Sequence, residues 1–385
     1  MKKIHYLLGA IALVLPACTD TDEPDYPDAD DTKNTTYAKI AEQYVDHTVI
    51  PTYANLASKA EQLVEDLYIL RNNKTDANVK KACESFLEAR AWWEKSEAFL
   101  FGPAADFGID PHIDTWPLDI NGLTSEMNNG AHIEAMDGED GDEWAGSHLG
   151  PELLGFHGIE YILFANGVPK AAASIPDNEL IYACAVAGDL RNCCYQLHVS
   201  WAGEENVPSE QAEKIRELEL NYTVSGTGLS YRQNMLNAGK GGSIYRSKTD
   251  ALQAIIDGCV TIADEVGTQK IGKPYTGEDK NYIESPYSHK SIIDFYDNVT
   301  SIENVYMGGI EGQRNSALSI HAYMEKQNKT LDERCMAAID NAHKRINSMK
   351  APFVLNYTDQ SAGEAMRALR DLEETLAEVK AELAK

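Results

Sequence analysis

What the sequence lacks narrows its function before any motif is read. After Leu7–Leu15 no segment is apolar for the roughly 18 residues that a membrane-spanning helix needs. Positive charge is scarce: 34 Lys and Arg face 61 Asp and Glu, for a net charge of −27. A surface that negative repels phosphate backbones, so nucleic acid is excluded as a partner. It draws in cations only weakly and in a salt-dependent way. Period-two alternation is nearly absent, so strands should be few. The Gly-rich Gly239–Ser243 turn is not followed by Lys-Ser/Thr and is no phosphate loop. CxxC spacing is missing too: Cys83, Cys184, Cys193, Cys194, Cys259 and Cys335 read as buried helix thiols, and neighbours Cys193 and Cys194 cannot easily bridge each other. What remains, 43% hydrophobic and 25% charged residues, is the composition of a globular chain.

The N-terminus points to a compartment. Lys2 and Lys3 precede the apolar Leu7–Leu15, and Leu15-Pro16-Ala17-Cys18 resembles the lipobox of bacterial lipoproteins. The resemblance implies a signal peptide over 1–17, cleavage before Cys18, and lipidation of the Cys18 thiol as the membrane anchor. Residues 18–36, with Asp20, Asp22, Glu23, Asp25, Asp28, Asp30 and Asp31, cannot bury enough apolar surface to fold and read as an acidic, disordered tether. An acidic run directly after such a Cys resembles the surface-export signal of Bacteroidetes lipoproteins. The expectation is an outer-membrane lipoprotein of the cell envelope, on the surface or the periplasmic face.

Helical periodicity dominates the rest. Tyr37–Arg71 runs long with one break at Pro51; Asn78–Phe101 follows and stops at Gly102-Pro103. Gly102–Ala145, rich in Gly, Asp, Asn and Pro, reads as a long and mostly irregular insertion. Pro151 then opens a short helix over Glu152–Phe164. The remaining helices are Asp177–Trp201 (capped by Asp177), Pro208–Tyr222, Lys248–Val266, Lys290–Met307, Ile310–Gln327, Leu331–Ser348 and Asp359–Leu383. The fold class is all-α, with two helical-bundle domains over 37–205 and 206–385.

Chemistry centres on Gly155-Phe156-His157-Gly158-Ile159-Glu160. Residues three apart share a helix face, so His157 and Glu160 project together. Nitrogen plus oxygen donors suit iron, zinc or manganese better than calcium. Gly155 and Gly158 weaken a helix and call for a reason such as close backbone approach. An HxxE pair by itself is more often a satisfied polar contact than a metal site. Partners could come from Glu94 and Glu97, from Asp110, His112 and Asp114, or from Ser288, His289 and Asp294. The plainer alternatives are an exposed Glu94, a buried Glu97 paired with Arg90, and Ser288 or Ser291 capping a helix that Asp294 starts.

Taken together, three segments resemble the imelysin-like family of insulin-cleaving membrane proteases and iron-regulated envelope proteins. They are Glu88–Pro103 leading to Thr115-Trp116-Pro117, then Gly155–Tyr161, then Glu284–His289 running through Asp294 and Asn298 to Tyr306-x-Gly308. The resemblance implies a two-domain helical fold with the GxHxxE helix at the domain interface. It implies His157 and Glu160 as the leading metal contacts, with Glu97, Asp294 and His289 behind them and Arg90, Ser288 and Asp114 lining the site. The expected function is binding of a metal ion or metal complex for uptake, iron before zinc, alongside an uptake-system partner. One alternative is a metallopeptidase, although Tyr161 stands where an inverted zinc motif needs its second histidine. Another is a binding protein for a peptide or polysaccharide.

Overall fold

The structure is a computed structural model describing residues 31–385, so the leader, Cys18 and the acidic run up to residue 30 lie outside the described residues. Helix α1 (Asp31–Tyr44), one π-helical turn (Val45–Val49) and α2 (Ile50–Asn72) follow without a gap. Residues 31–36, expected to end the tether, are therefore helical. Pro51 does not break the rod. It occupies the first turn of α2, where its missing N–H would be unsatisfied anyway, and the irregularity is the π turn upstream.

Helix α3 (Asp76–Glu94) packs along α2. Beyond it come α4 (Gly155–Leu163), α5 (Asp177–Ala202), α6 (Lys248–Glu265), α7 (Ser291–Met307), α8 (Lys329–Asn347) and α9 (Gln360–Leu383). One group forms where α2 packs between α3 and α5; another where α9 packs on α6 and α8, with α7 beside α8. Helix α1 lies on α6, and α3 touches α7, so the two groups meet along these contacts. Among the described residues the only strands are the two-residue pair Phe164–Ala165 and Val168–Pro169. All six cysteines of this region are unpaired and buried in α3, α5, α6 and α8, as expected.

The insertion is not irregular. It folds as short helices at Pro103–Asp106, Ile109–Ile113, Ile120–Met127, Gly130–Met136 and Gly141–His148. Each is too short to show a hydrophobic period, and local caps start two of them: the Asp119 side chain accepts from the amides of Asn121 and Gly122, and Asn129 from those of Ala131 and His132. Other boundaries also move. Asp177 makes no cap and instead pairs with Lys74, the 208–222 helix shortens to Ser209–Glu217, and Ile310–Gln327 shrinks to Ile320–Gln327. No membrane-crossing helix occurs among the described residues.

A buried charge cluster as the candidate functional site

The GxHxxE helix is seated by its first glycine. Gly155 has φ +66°, and a Cβ there would lie 1.9 Å from the Ile113 carbonyl oxygen, so only glycine permits this approach. The contact brings α4 onto Ile109–Ile113, whose C-cap is Asp114. His157 Nε2 thereby lies 3.1 Å from Asp114 Oδ1, and His157 Nδ1 lies 3.6 Å from Glu160 Oε2. Glu160 is held asymmetrically. Its Oε1 accepts from the amides of Tyr287 (3.1 Å) and Ser288 (2.7 Å) and from the Ser288 hydroxyl (2.7 Å). Its Oε2 is buried and accepts no hydrogen bond. The loop that delivers these donors is flanked by Ser285 (φ 50°) and His289 (φ 60°), left-handed conformations that non-glycine residues adopt only under constraint.

Behind the pair lies a network that excludes water. Arg90 binds Asp114, reaches Glu94 at 2.5 Å and Glu284 at 2.6 Å, and is 2% exposed. Trp93 Nε1 donates to the other Asp114 oxygen at 2.7 Å. Lys270, fully buried, sits 3.2 Å from Glu284, 3.3 Å from Glu97 and 3.8 Å from Glu94. Asn298 Nδ2 donates to Glu94 at 2.5 Å. Carboxylates outnumber cations here: Glu94, Glu97, Asp114, Glu160, Glu284 and Asp294 face Arg90, Lys270 and His157. Desolvation accordingly pushes Glu94, Glu97 and Asp294 up, and Glu284 to about 7. Asp114 goes the other way: burial opposes its charge, but Arg90 and His157 hold it well below the usual carboxylate range. Burial likewise opposes charge on His157, yet the neighbouring Asp114 and Glu160 carboxylates lift it to about 9.

His157, Glu160 and Ser288 thus meet directly, with Asp114 and Arg90 one contact behind. Glu97 joins through Lys270 rather than pairing with Arg90, and Glu94 is buried rather than exposed. Asp294 is buried with Oδ2 unpartnered. His289 turns away; its ring lies against Gly167, where an added Cβ would be 2.6 Å from Nδ1. Neither Ser288 nor Ser291 caps α7: Ser288 serves Glu160, and Ser291 donates to the Glu284 carbonyl at 2.5 Å. Sequence reasoning missed Glu284, Lys270 and Asn298 as site groups. Glu284 opens one of the family-like segments and could have been flagged; a lone lysine at 270 carries no such signal.

Among the described residues, two groupings of three metal-ligating side chains form here, Asp114–His157–Glu284 and Glu94–Glu97–Asp114. Both fit a cation poorly, because the Arg90 guanidinium already binds members of each and Lys270 lies against Glu94, Glu97 and Glu284. The motif pair is different: its facing atoms, His157 Nδ1 and Glu160 Oε2, meet neither cation. His157 also lines a cleft of about 470 Å³ with Trp116, Pro117, Ile283, Pro286 and Tyr287. The Trp116 ring leans on His157 at 5.7 Å and on Tyr282 at 5.3 Å between centroids.

This arrangement can be set beside known proteins. Residues 49–379 match the sequence model of the Imelysin family. The chain belongs to the imelysin family. This imelysin is 27% identical over 316 residues to iron-regulated protein A of Synechococcus elongatus, covering 81% of this chain and 76% of that protein. It is similar to a solved structure described as an iron-regulated protein A precursor from Parabacteroides distasonis, with TM-score 0.77, 28% identity, and 91% and 95% of the two chains covered. An imelysin-like protein from Psychrobacter arcticum shares the imelysin fold at TM-score 0.61 and 13% identity, over 88% of this chain and 93% of that one.

Proposed function

We propose that this imelysin is a cell-envelope lipoprotein, anchored through Cys18 to the outer membrane, that binds a metal ion or metal complex for uptake at His157 and Glu160. Iron is the first candidate and zinc the second. The observation that carries the reading is the divided Glu160 carboxylate: three donors fix one oxygen, while the other is buried, unpartnered and 3.6 Å from an imidazole nitrogen. An orphaned buried oxygen is costly unless something occupies it, and fixing its partner oxygen is how outer groups orient a ligating carboxylate.

A metal held there would supply a positive charge that the surplus of carboxylates lacks. Two protein donors leave the rest of its ligands to the cargo, which suits reversible carriage better than permanent tenure. His157 must give up its second proton before a ring nitrogen can ligate, so loading releases a proton. The donors to Glu160 come from the 206–385 half and the motif from the 37–205 half. If these halves act as domains, their separation would free Glu160 and release cargo to an uptake-system partner. The relatives named as iron-regulated support iron as the cargo element. A metallopeptidase has less support, because a zinc hydrolase takes about three protein ligands and a separate base, and the motif pair supplies two. The aromatic wall of the cleft also suits an organic ligand such as a peptide or polysaccharide without metal.

Calorimetric titration of the full chain with ferrous, ferric and zinc ions tests the reading. A saturable iron-binding phase that Glu160→Gln abolishes is the expected result. Equal affinity in the variant, or no binding by the folded wild type, would overturn it.

A further inference from the structure

The short helix Ile109–Ile113 and its cap Asp114 also feed a second site. While Asp114 enters the central cluster, His112 points to the opposite side and meets Asp189 of α5, Nε2 to Oδ2 at 2.8 Å. One turn further along α5, on the same face, is Cys193. An imidazole nitrogen, a carboxylate oxygen and a sulfur from these three residues all lie within 4.8 Å of one another. The same three side chains line a cavity of about 560 Å³, together with Asp106, Glu143 and Asn192. Asp189 and Cys193 are 7% and 8% exposed, so the donors sit at the cavity floor rather than on open surface.

The packing that forms this floor admits little change. Helix Gly141–His148 crosses α5 so closely that a Cβ on Gly146 would lie 2.1 Å from Asp189 Oδ1. The neighbouring cations are committed elsewhere: Arg191 and Lys214 both bind Asp142, at 2.9 and 3.3 Å. Asp189 therefore has an imidazole and no guanidinium or ammonium as its ion-pair partner, unlike the carboxylates around Arg90 and Lys270.

We propose that His112, Asp189 and Cys193 form a second cation site, of zinc type, that opens into this cavity. One nitrogen, one oxygen and one sulfur donor select zinc and similar borderline metals over calcium or magnesium. As the metal–sulfur bond forms, the Cys193 thiol loses its proton to solvent. The metal offsets the cost of a buried thiolate, which burial alone disfavours. Three protein donors leave at least one position facing the cavity, where water or an anionic group of a small ligand can bind.

Cobalt(II) added to the reduced full chain reads this site apart from the motif pair, since only this one contains sulfur. The expected result is a near-ultraviolet sulfur-to-cobalt charge-transfer band that zinc removes by competition. Cys193→Ser should abolish the band, and His112→Gln should weaken cobalt binding at least about tenfold, or about 1.4 kcal/mol. Glu160→Gln should leave the band unchanged, so failure of the motif site and failure of this one are read separately. A folded wild type without the band overturns the proposal, as does a band that survives in folded Cys193→Ser. If Cys193→Ser does not fold, the His112→Gln titration decides, and unchanged cobalt affinity there overturns the proposal.

Discussion

Two histidine–aspartate pairs grow from one short helix and its cap and end in different chemistry. His157–Asp114 is enclosed by Arg90 and Lys270, whose charges are fixed and almost fully buried, and by a surplus of carboxylates. His112–Asp189 stands at a cavity with its neighbouring cations turned toward Asp142. Buried carboxylates alone do not make a metal site. What counts is whether permanent cations already hold them, as Arg90 and Lys270 together hold Glu94 and Glu284.

The contrast is most directly broken at Arg90. Arg90→Met should strand Asp114, Glu94 and Glu284 without their shared partner and cost about 3–5 kcal/mol in urea unfolding. The pH dependence comes next. His157 rises from 6.5 to about 9 on folding, so its contribution is fully present below about pH 6.5 and is lost as pH climbs through 9. At 1.36 kcal/mol per unit that arm is worth at most about 3 kcal/mol. Glu284, raised from 4.5 to about 7, acts in the same direction lower down: the folded state holds the extra proton, so stability falls between pH 4.5 and 7. Melting temperature should therefore drop from pH 5 to 9, and His157→Gln should flatten the alkaline part. Ser288→Ala should cost about 1.5–3 kcal/mol by removing a hydroxyl from a buried carboxylate, and should loosen metal binding at the motif in calorimetry. His112→Gln should change stability by less than about 1 kcal/mol, since its pair is one-quarter exposed on the histidine side. A large loss there would erase the distinction between the two regions.

Most of the helices were legible. Long segments such as α6, α8 and α9 keep one apolar face over several turns, and that period survives any tertiary context. The short helices of 103–148 were not, because four to eight residues are too few to display a period and their caps were not weighed. At the site, His157 and Glu160 could be paired from their spacing on one helix. Ser288 was flagged as a possible site partner or helix cap, and its role could not be read: it caps no helix but donates to a carboxylate 128 residues away.

By itself, then, the sequence determined the all-helical class, the family and the shared face of His157 and Glu160, all of which rest on local periodicity or on short motifs. Only the tertiary structure decided which acids share Arg90 and Lys270, that His289 turns from the motif, and that His112 faces Asp189 and Cys193. Those outcomes depend on which buried charges meet across long chain separations. Close packing and the cost of an unpaired buried charge select among partners that no spacing along the chain can distinguish.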